Sequence, residues 1–189
     1  NVSYPLTEEQ IHNGPPHQSN YSYAYAKRML DIQSQAYRNQ YGCNFITAVP
    51  NNLYGENDNY DLSDSHVIPA IMHKMHLAKQ SGKNVSLWGD GSPLREFTYS
   101  KDLAEILLFL LQHYDSPEPI NVGNTGEHSI KEVAELIANY VDYDGEIEWD
   151  SSKPSGQLRK PSSNERLLQL GWRPHMYTDF KVSLLAACD

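Results

Sequence analysis

The 189-residue sequence carries 15 lysines and arginines against 24 aspartates and glutamates, a formal net charge of −9 with histidines neutral. That balance excludes the basic surface that neutralises a run of nucleic-acid phosphates, and no apolar run approaches the ~20 residues of a membrane-spanning helix. Hydrophobic residues, at 39%, supply the core of one domain of ordinary size, or of one substantial domain plus a smaller piece.

Residues 1–20 are punctuated by Pro5, Gly14, Pro15 and Pro16 and show no apolar period, which predicts loop. Over 23–41, Met29, Ile32, Ala36 and Tyr37 recur three and four apart and Gly42 follows, the pattern of a helix with its stop. Residues 45–49 predict a short strand, closed by Pro50 and the loop NNLYGENDNYD. A second helix is expected over 67–79, ending near Gly82. Strands are expected at 85–88 and 95–99, on either side of the turn GDGSP. The most apolar stretch, 103–111, predicts a buried helix with Ser100 as its N-cap. Residues 119–122 predict strand, and Ser129-x-x-Glu132 is a capping box that opens a helix to about 141. A short strand at 147–149 precedes the polar loop SSKPSGQLRKPSSN, a short helix over 165–170 and a last helix over 180–187. Strands alternating with helices predict an α/β chain.

Tyr23 and Lys27 stand four apart at the start of the first helix, so both side chains reach one face. A cation beside a phenol favours phenolate, which suits a general acid exchanging a proton with a carbonyl oxygen during hydride transfer. The same spacing also occurs as an ordinary aromatic–lysine pair. His66 lies three before Pro69, a residue suited to a helix's first turn, and so falls at a helix N-terminus. Positive charge is disfavoured there, which suits either a neutral imidazole carrying a proton or an exposed loop histidine. His73 and His76, three apart without a third ligand, read as surface side chains rather than a metal site. Arg95 and Trp88 suit a phosphate grip with an indole packing a base or sugar; otherwise Arg95 forms a surface pair with Glu96. Lys153, Arg159 and Lys160 make a basic island, a counter-charge for a diphosphate or a solvated loop. The sequence contains no GxGxxG, P-loop or zinc-type spacing.

Taken in order, IHNGPPH, YAYAKRM, QYGCNF, PNNLYGENDNY, SHVIPA, LWGDGSPLREF and INVG resemble the GDP-L-fucose synthases. These are extended members of the short-chain dehydrogenase/reductase superfamily, within the NAD-dependent epimerase/dehydratases. The resemblance covers nearly the whole chain and roughly the C-terminal 60% of the family's usual length. It implies an α/β fold made of the C-terminal part of a Rossmann-type dinucleotide-binding sheet plus a smaller α/β substrate-binding domain. Residues 1–55 would end the dinucleotide-binding domain and carry the Tyr/Lys helix. Residues 56–189 would be mainly substrate-binding, with about 95–125 threading back to the Rossmann sheet.

The resemblance further implies NADP(H) as cofactor and a GDP-sugar as substrate. GDP-4-keto-6-deoxy-D-mannose would be epimerised at C3 and C5 and reduced at C4 to GDP-L-fucose. Tyr23 would protonate the C4 oxygen, Lys27 would hold the nicotinamide ribose, and His66 would be the acid/base of epimerisation, opposite a family cysteine. Pro50, Asn51, Asn52 and Leu53 would back the nicotinamide, with His66 also bordering it. Trp88 and Arg95 match GDP-sugar positions; Lys74 stands where the family often has an arginine, and Ser155 where it often has an aspartate. Neither Cys43 nor Cys188 matches the family cysteine, and the family's glycine-rich cofactor loop has no counterpart in the sequence. An N-terminal Rossmann half is therefore expected to be missing, and the isolated chain is expected not to turn over NADPH. A homodimer through 23–41 and 67–79 and a cytoplasmic setting are expected too; two cysteines fit a reducing compartment. No nucleic acid and no membrane are expected as partners. Two other functions compete: a non-catalytic nucleotide-sugar-binding or assembly module, and another extended-family sugar-nucleotide epimerase without a role for His66.

Overall fold

The computed structural model of the protein describes residues 3–153 and 155–188. Helix α1 (Tyr21–Tyr41) stops where Gly42 takes the left-handed conformation, φ 64°, and its N–H caps the Arg38 carbonyl. The stretch before it, expected as loop, holds two single turns of 3-10 helix, Glu8–Gln10 and Gln18–Asn20. Strand β1 (Ala48–Pro50) lies later than the expected 45–49, because pairing with a distant parallel strand, 120–122, decides where the ladder forms. A further strand, β2 (Asn52–Tyr54), occupies what the sequence predicts as loop. Its three residues have no period of their own, and its parallel partner at 97–99 makes it a strand.

Helix α2 (Val67–Ser81) buries Ile68, Ile71, Met72, Met75 and Ala78 and ends at Gly82, also left-handed, φ 61°. Strand β3 (Val85–Trp88) alternates Val85 and Leu87 inward with Ser86 and Trp88 outward. Strand β4 (Leu94–Tyr99) is buried from Glu96 onward and leads into α3 (Ser100–His113). Tyr99, not Ser100, holds the cap position of α3. Ser100 Oγ is instead packed on Gly55, where a Cβ would stand 2.2 Å away. The expectation that α3 is buried is also corrected. Ile106 and Leu110 are buried, while Leu107, Leu108 and Leu111 face outward, Leu111 with 73% of its surface exposed. The described chain covers α3 along one stripe.

Strand β5 (Ile120–Val122) pairs with β1, and β6 (Glu127–Ser129) runs antiparallel to the first half of β4. Helix α4 (Ile130–Tyr140) opens on its capping serine, with the Glu132 N–H donating to Ser129 Oγ at 3.0 Å. Strand β7 (Ile147–Asp150) pairs in parallel with β3. Helices α5 (Glu165–Leu170) and α6 (Phe180–Cys188) follow. The described strands thus form β1–β5, β2–β4–β6 and β3–β7.

Two apolar cores result. In the first, Met75 of α2, Val133 and Ile137 of α4 and Leu184 of α6 cover Phe97, Val85 and Tyr54. In the second, Ile106 and Leu110 of α3 and Leu167 of α5 close over Ile120, Val122 and Trp172. Among the described residues no helix is long and apolar enough to cross a membrane.

Candidate functional site

The turn between β3 and β4 is the hub of one cluster. Gly89 adopts φ 79°, and a Cβ there would lie 2.8 Å from Ser155 Oγ and 3.0 Å from Ser155 Cα, so the 155–163 loop rests directly on the turn. Only glycine permits both that backbone angle and that approach. Trp88 ends β3 with 62% of its surface exposed. Lys74, from α2, places Nζ 5.9 Å from the Trp88 ring centroid while donating to the Ser86 carbonyl at 3.2 Å. Arg95 Nη2 lies 3.4 Å from where a Gly156 Cβ would stand, and its Nη1 donates to the Leu94 carbonyl at 2.7 Å. Lys74, Trp88, Arg95 and Ser155 therefore meet around one turn, though they come from distant parts of the chain.

The charges in this cluster are unevenly satisfied. Arg95 is half-buried, and burial pushes its guanidinium below the ordinary value. It makes no ion pair among the described residues, and the surface pair with Glu96 does not form, because Glu96 turns inward. Arg159, by contrast, is held by Glu127 through Nε at 2.8 and 2.9 Å and Nη2 at 2.5 Å. The basic island is thereby reduced to Lys153 and Lys160, both exposed.

Tyr23 and Lys27 lie exposed one turn apart on α1, with Lys27 Nζ 5.7 Å from the Tyr23 ring centroid. His66 occupies the extended residue before Val67, φ −69° and ψ 168°, with its side chain exposed. Among the described residues no hydrogen bond joins His66 to Tyr23 or Lys27. His73 is not a free surface ligand: its Nδ1 donates to the Tyr60 carbonyl at 2.5 Å. No metal-holding group of three or more His, Cys, Asp or Glu occurs among the described residues.

Pro50 to Leu53 join β1 to β2, and the half-buried Asn51 and the exposed Asn52 both hydrogen-bond across to β4. Asn51 Oδ1 accepts from Thr98 Oγ1 at 2.5 Å, while its Nδ2 donates to the Asn124 carbonyl at 2.8 Å and to Glu96 Oε2 at 3.3 Å. Asn52 Nδ2 donates to the Glu96 carbonyl at 2.8 Å. Gly123, φ 142°, makes room for this network, since a Cβ there would stand 2.6 Å from Asn51 Oδ1.

Residues 2–123 match the model of the NAD dependent epimerase/dehydratase family. The chain belongs to that family. It is 48% identical over 174 residues to a GDP-L-fucose synthase of Sinorhizobium fredii, covering 92% of this chain and 55% of that protein. It is 45% identical over 171 residues to one of Dictyostelium discoideum, covering 89% of this chain and 53% of that protein. The crystal structure of a GDP-L-fucose synthetase from Naegleria fowleri bound to NADP superposes with a TM-score of 0.95 at 40% identity, over 99% of this chain and 60% of that one. The chain thus spans about half the length of the curated relatives it matches, and its fold is the Rossmann-like α/β fold of this epimerase/dehydratase family.

Glu96, Thr98, Asn124 and Ser162 belong to this family member's central polar network without standing out in the sequence. The available signal is a charged residue inside the otherwise apolar strand LREFTY, next to the paired asparagines of PNN. Asp31 is a second case. It is the buried residue of α1, fully enclosed, and it holds His12 Nε2 at 2.7 Å and Gln35 Nε2 at 3.0 Å.

Proposed function

We propose that this chain supplies the substrate-binding and proton-transfer part of a GDP-L-fucose synthase-type 3,5-epimerase/4-reductase that uses NADP(H). The observation that carries the reading is Arg95: a half-buried guanidinium without a carboxylate partner among the described residues, set against the 155–163 loop that rests on the turn after the exposed Trp88, itself under Lys74. Such a guanidinium favours a doubly bonded phosphate, and an exposed indole favours a planar base or a sugar face. A GDP-sugar carries all three. Ser155 would add a neutral hydroxyl where the family often has a carboxylate, and Lys74 a point charge in place of an arginine fork.

In this reading Tyr23 hands its phenolic proton to the C4 oxygen, and Lys27 stabilises the phenolate left behind. His66, exposed at a helix N-terminus, moves the protons of the C3 and C5 epimerisations. Bound NADPH supplies the hydride. The residues present fit the nicotinamide–ribose end of that cofactor. Tyr23 and Lys27 share one exposed face, and Pro50 to Leu53 lie at the carboxyl end of β1, which pairs with β5 in parallel. For the pyrophosphate end the sequence offers no glycine-rich loop, so the 189 residues alone are proposed not to turn over NADPH. The two cores support a domain division in which β1, α3 and β5 belong with the dinucleotide-binding side and α2, α4 and α6 with the substrate side. Pairing of two copies is proposed through α1, whose Tyr25, Met29 and Ile32 face outward. Helix α2 turns its apolar stripe into its own core and would add Leu77 and polar side chains.

Calorimetric titration with GDP tests the reading. Binding is expected to this chain and to be lost in Arg95→Ala; no heat with the unmodified chain, or equal affinity in the variant, overturns it. NADPH oxidation with the keto sugar is expected only from a protein that also carries the glycine-rich loop. Turnover by the 189 residues alone would sink the cofactor argument.

A further inference from the structure

One buried carboxylate touches both sides of the proposed site. Glu96 has 3% of its surface exposed. Its Oε1 accepts from the Ser162 amide at 2.8 Å, and its Oε2 from the Ser162 hydroxyl at 2.5 Å and from Asn51 Nδ2 at 3.3 Å. All of these are donors, and a carboxylate meets them with oxygens on both sides, where the amide of the same shape would turn an NH2 against one of them.

On the Asn51 side the network has one orientation. Turning the Asn51 amide over would set its NH2 against Thr98 Oγ1, whose own hydrogen now points to Asn51 Oδ1, and its oxygen against the Asn124 carbonyl. On the Ser162 side, Glu96 holds the loop that carries Ser155 and Gly156, the residues lying on Gly89 and Arg95. The same loop is gripped a second time on the same rung of the ladder. Glu127, the register partner of Glu96 on β6, takes Arg159 with both oxygens. Just before those grips, the Leu94 amide donates to the Leu158 carbonyl at 2.8 Å.

We infer that Glu96 is a positioning residue. It locks the 155–163 loop to the Pro50–Leu53 segment, so that binding of the GDP-sugar is transmitted to the residues that back the cofactor. This rests on the reading of the site given above. Burial closes Glu96 to a ligand, so its effect runs through Asn51 and Ser162.

Hydrogen exchange read by mass spectrometry, with and without GDP, tests the inference on the unmodified protein and on Glu96→Gln. In the unmodified protein GDP is expected to slow exchange both at 155–163 and at 50–54. In Glu96→Gln, exchange at the two segments without ligand should rise together about tenfold or more, with β3 and β7 unchanged, since a charge-assisted bond is lost from a buried site. GDP protection should then no longer reach 50–54. An identical protection pattern in the two proteins overturns the inference. If the unmodified protein ignores GDP, the binding reading falls, and the ligand-free comparison still decides for or against the lock. Should Glu96→Gln fail to fold, Ser162→Ala keeps the carboxylate and removes one bond; a smaller joint rise at both segments supports the inference, and a rise confined to 155–163 overturns it.

Discussion

Arg95 and Glu96 are adjacent on β4 and alternate to opposite faces, which gives neighbouring charges opposite fates. Arg95 is left with a backbone carbonyl as its protein partner, whereas Glu96 is consumed by Ser162 and Asn51. Placements that depend on spacing within one element are legible in the sequence. Tyr23 and Lys27 sit four apart on one helix, and their side chains do meet on α1. His66 does precede a first turn containing Pro69. Glu96 was not legible, because its partner Ser162 lies 66 residues away and no local period connects them. The prediction at this scale concerns His66. In a protein carrying the cofactor loop, His66→Ala should abolish C3/C5 proton exchange with solvent deuterium while C4 ketone reduction continues. Unchanged exchange would remove His66 from the chemistry and favour an epimerase of another kind. A stability change is not expected, since the ring is exposed and its backbone carbonyl still accepts from Ala70 at 3.0 Å.

At the scale of elements, the signals that worked were those with a mechanism at a single residue. Gly42 and Gly82 are left-handed stops, and Ser129 caps α4 as its spacing to Glu132 predicts. Strands β2 and β6 have no strand pattern of their own, and it is pairing with the two ends of β4 that makes them strands. Helix α3 shows the limit of composition: its leucines announce a helix but do not say which sides are covered. The cap on α4 gives a clean test. Ser129→Ala removes the acceptor of the Glu132 amide and should cost about 1 kcal/mol, with the urea midpoint falling and the slope unchanged. No loss would mean that water serves the exposed first turn equally well.

At the scale of the whole molecule, each core contains a tyrosine whose hydroxyl is spent internally. Tyr54 donates to or accepts from Ser183 Oγ at 2.6 Å in the first, and Tyr177 donates to the Gly123 carbonyl at 2.6 Å beside the second. Burial pushes both phenols up, Tyr177 to about 12 against an ordinary value of 10.0. A phenol raised in the folded state favours the protonated form, so the folded protein holds more protons than the unfolded one above pH 10.0. Stability is therefore intact below that pH and drains away as pH rises from there through about 12. Alkaline unfolding followed by circular dichroism should coincide with a late, cooperative rise in tyrosinate absorbance. Tyr177→Phe separates the contributions. It should cost about 1 kcal/mol at neutral pH by deleting one hydrogen bond, because Asn164 Nδ2 still donates to the Gly123 carbonyl at 3.0 Å. The same variant should shed less stability between pH 10.0 and 12 than the unmodified protein, since one linked proton is gone. An equal alkaline slope in the two proteins would show that Tyr177 does not report on the second core.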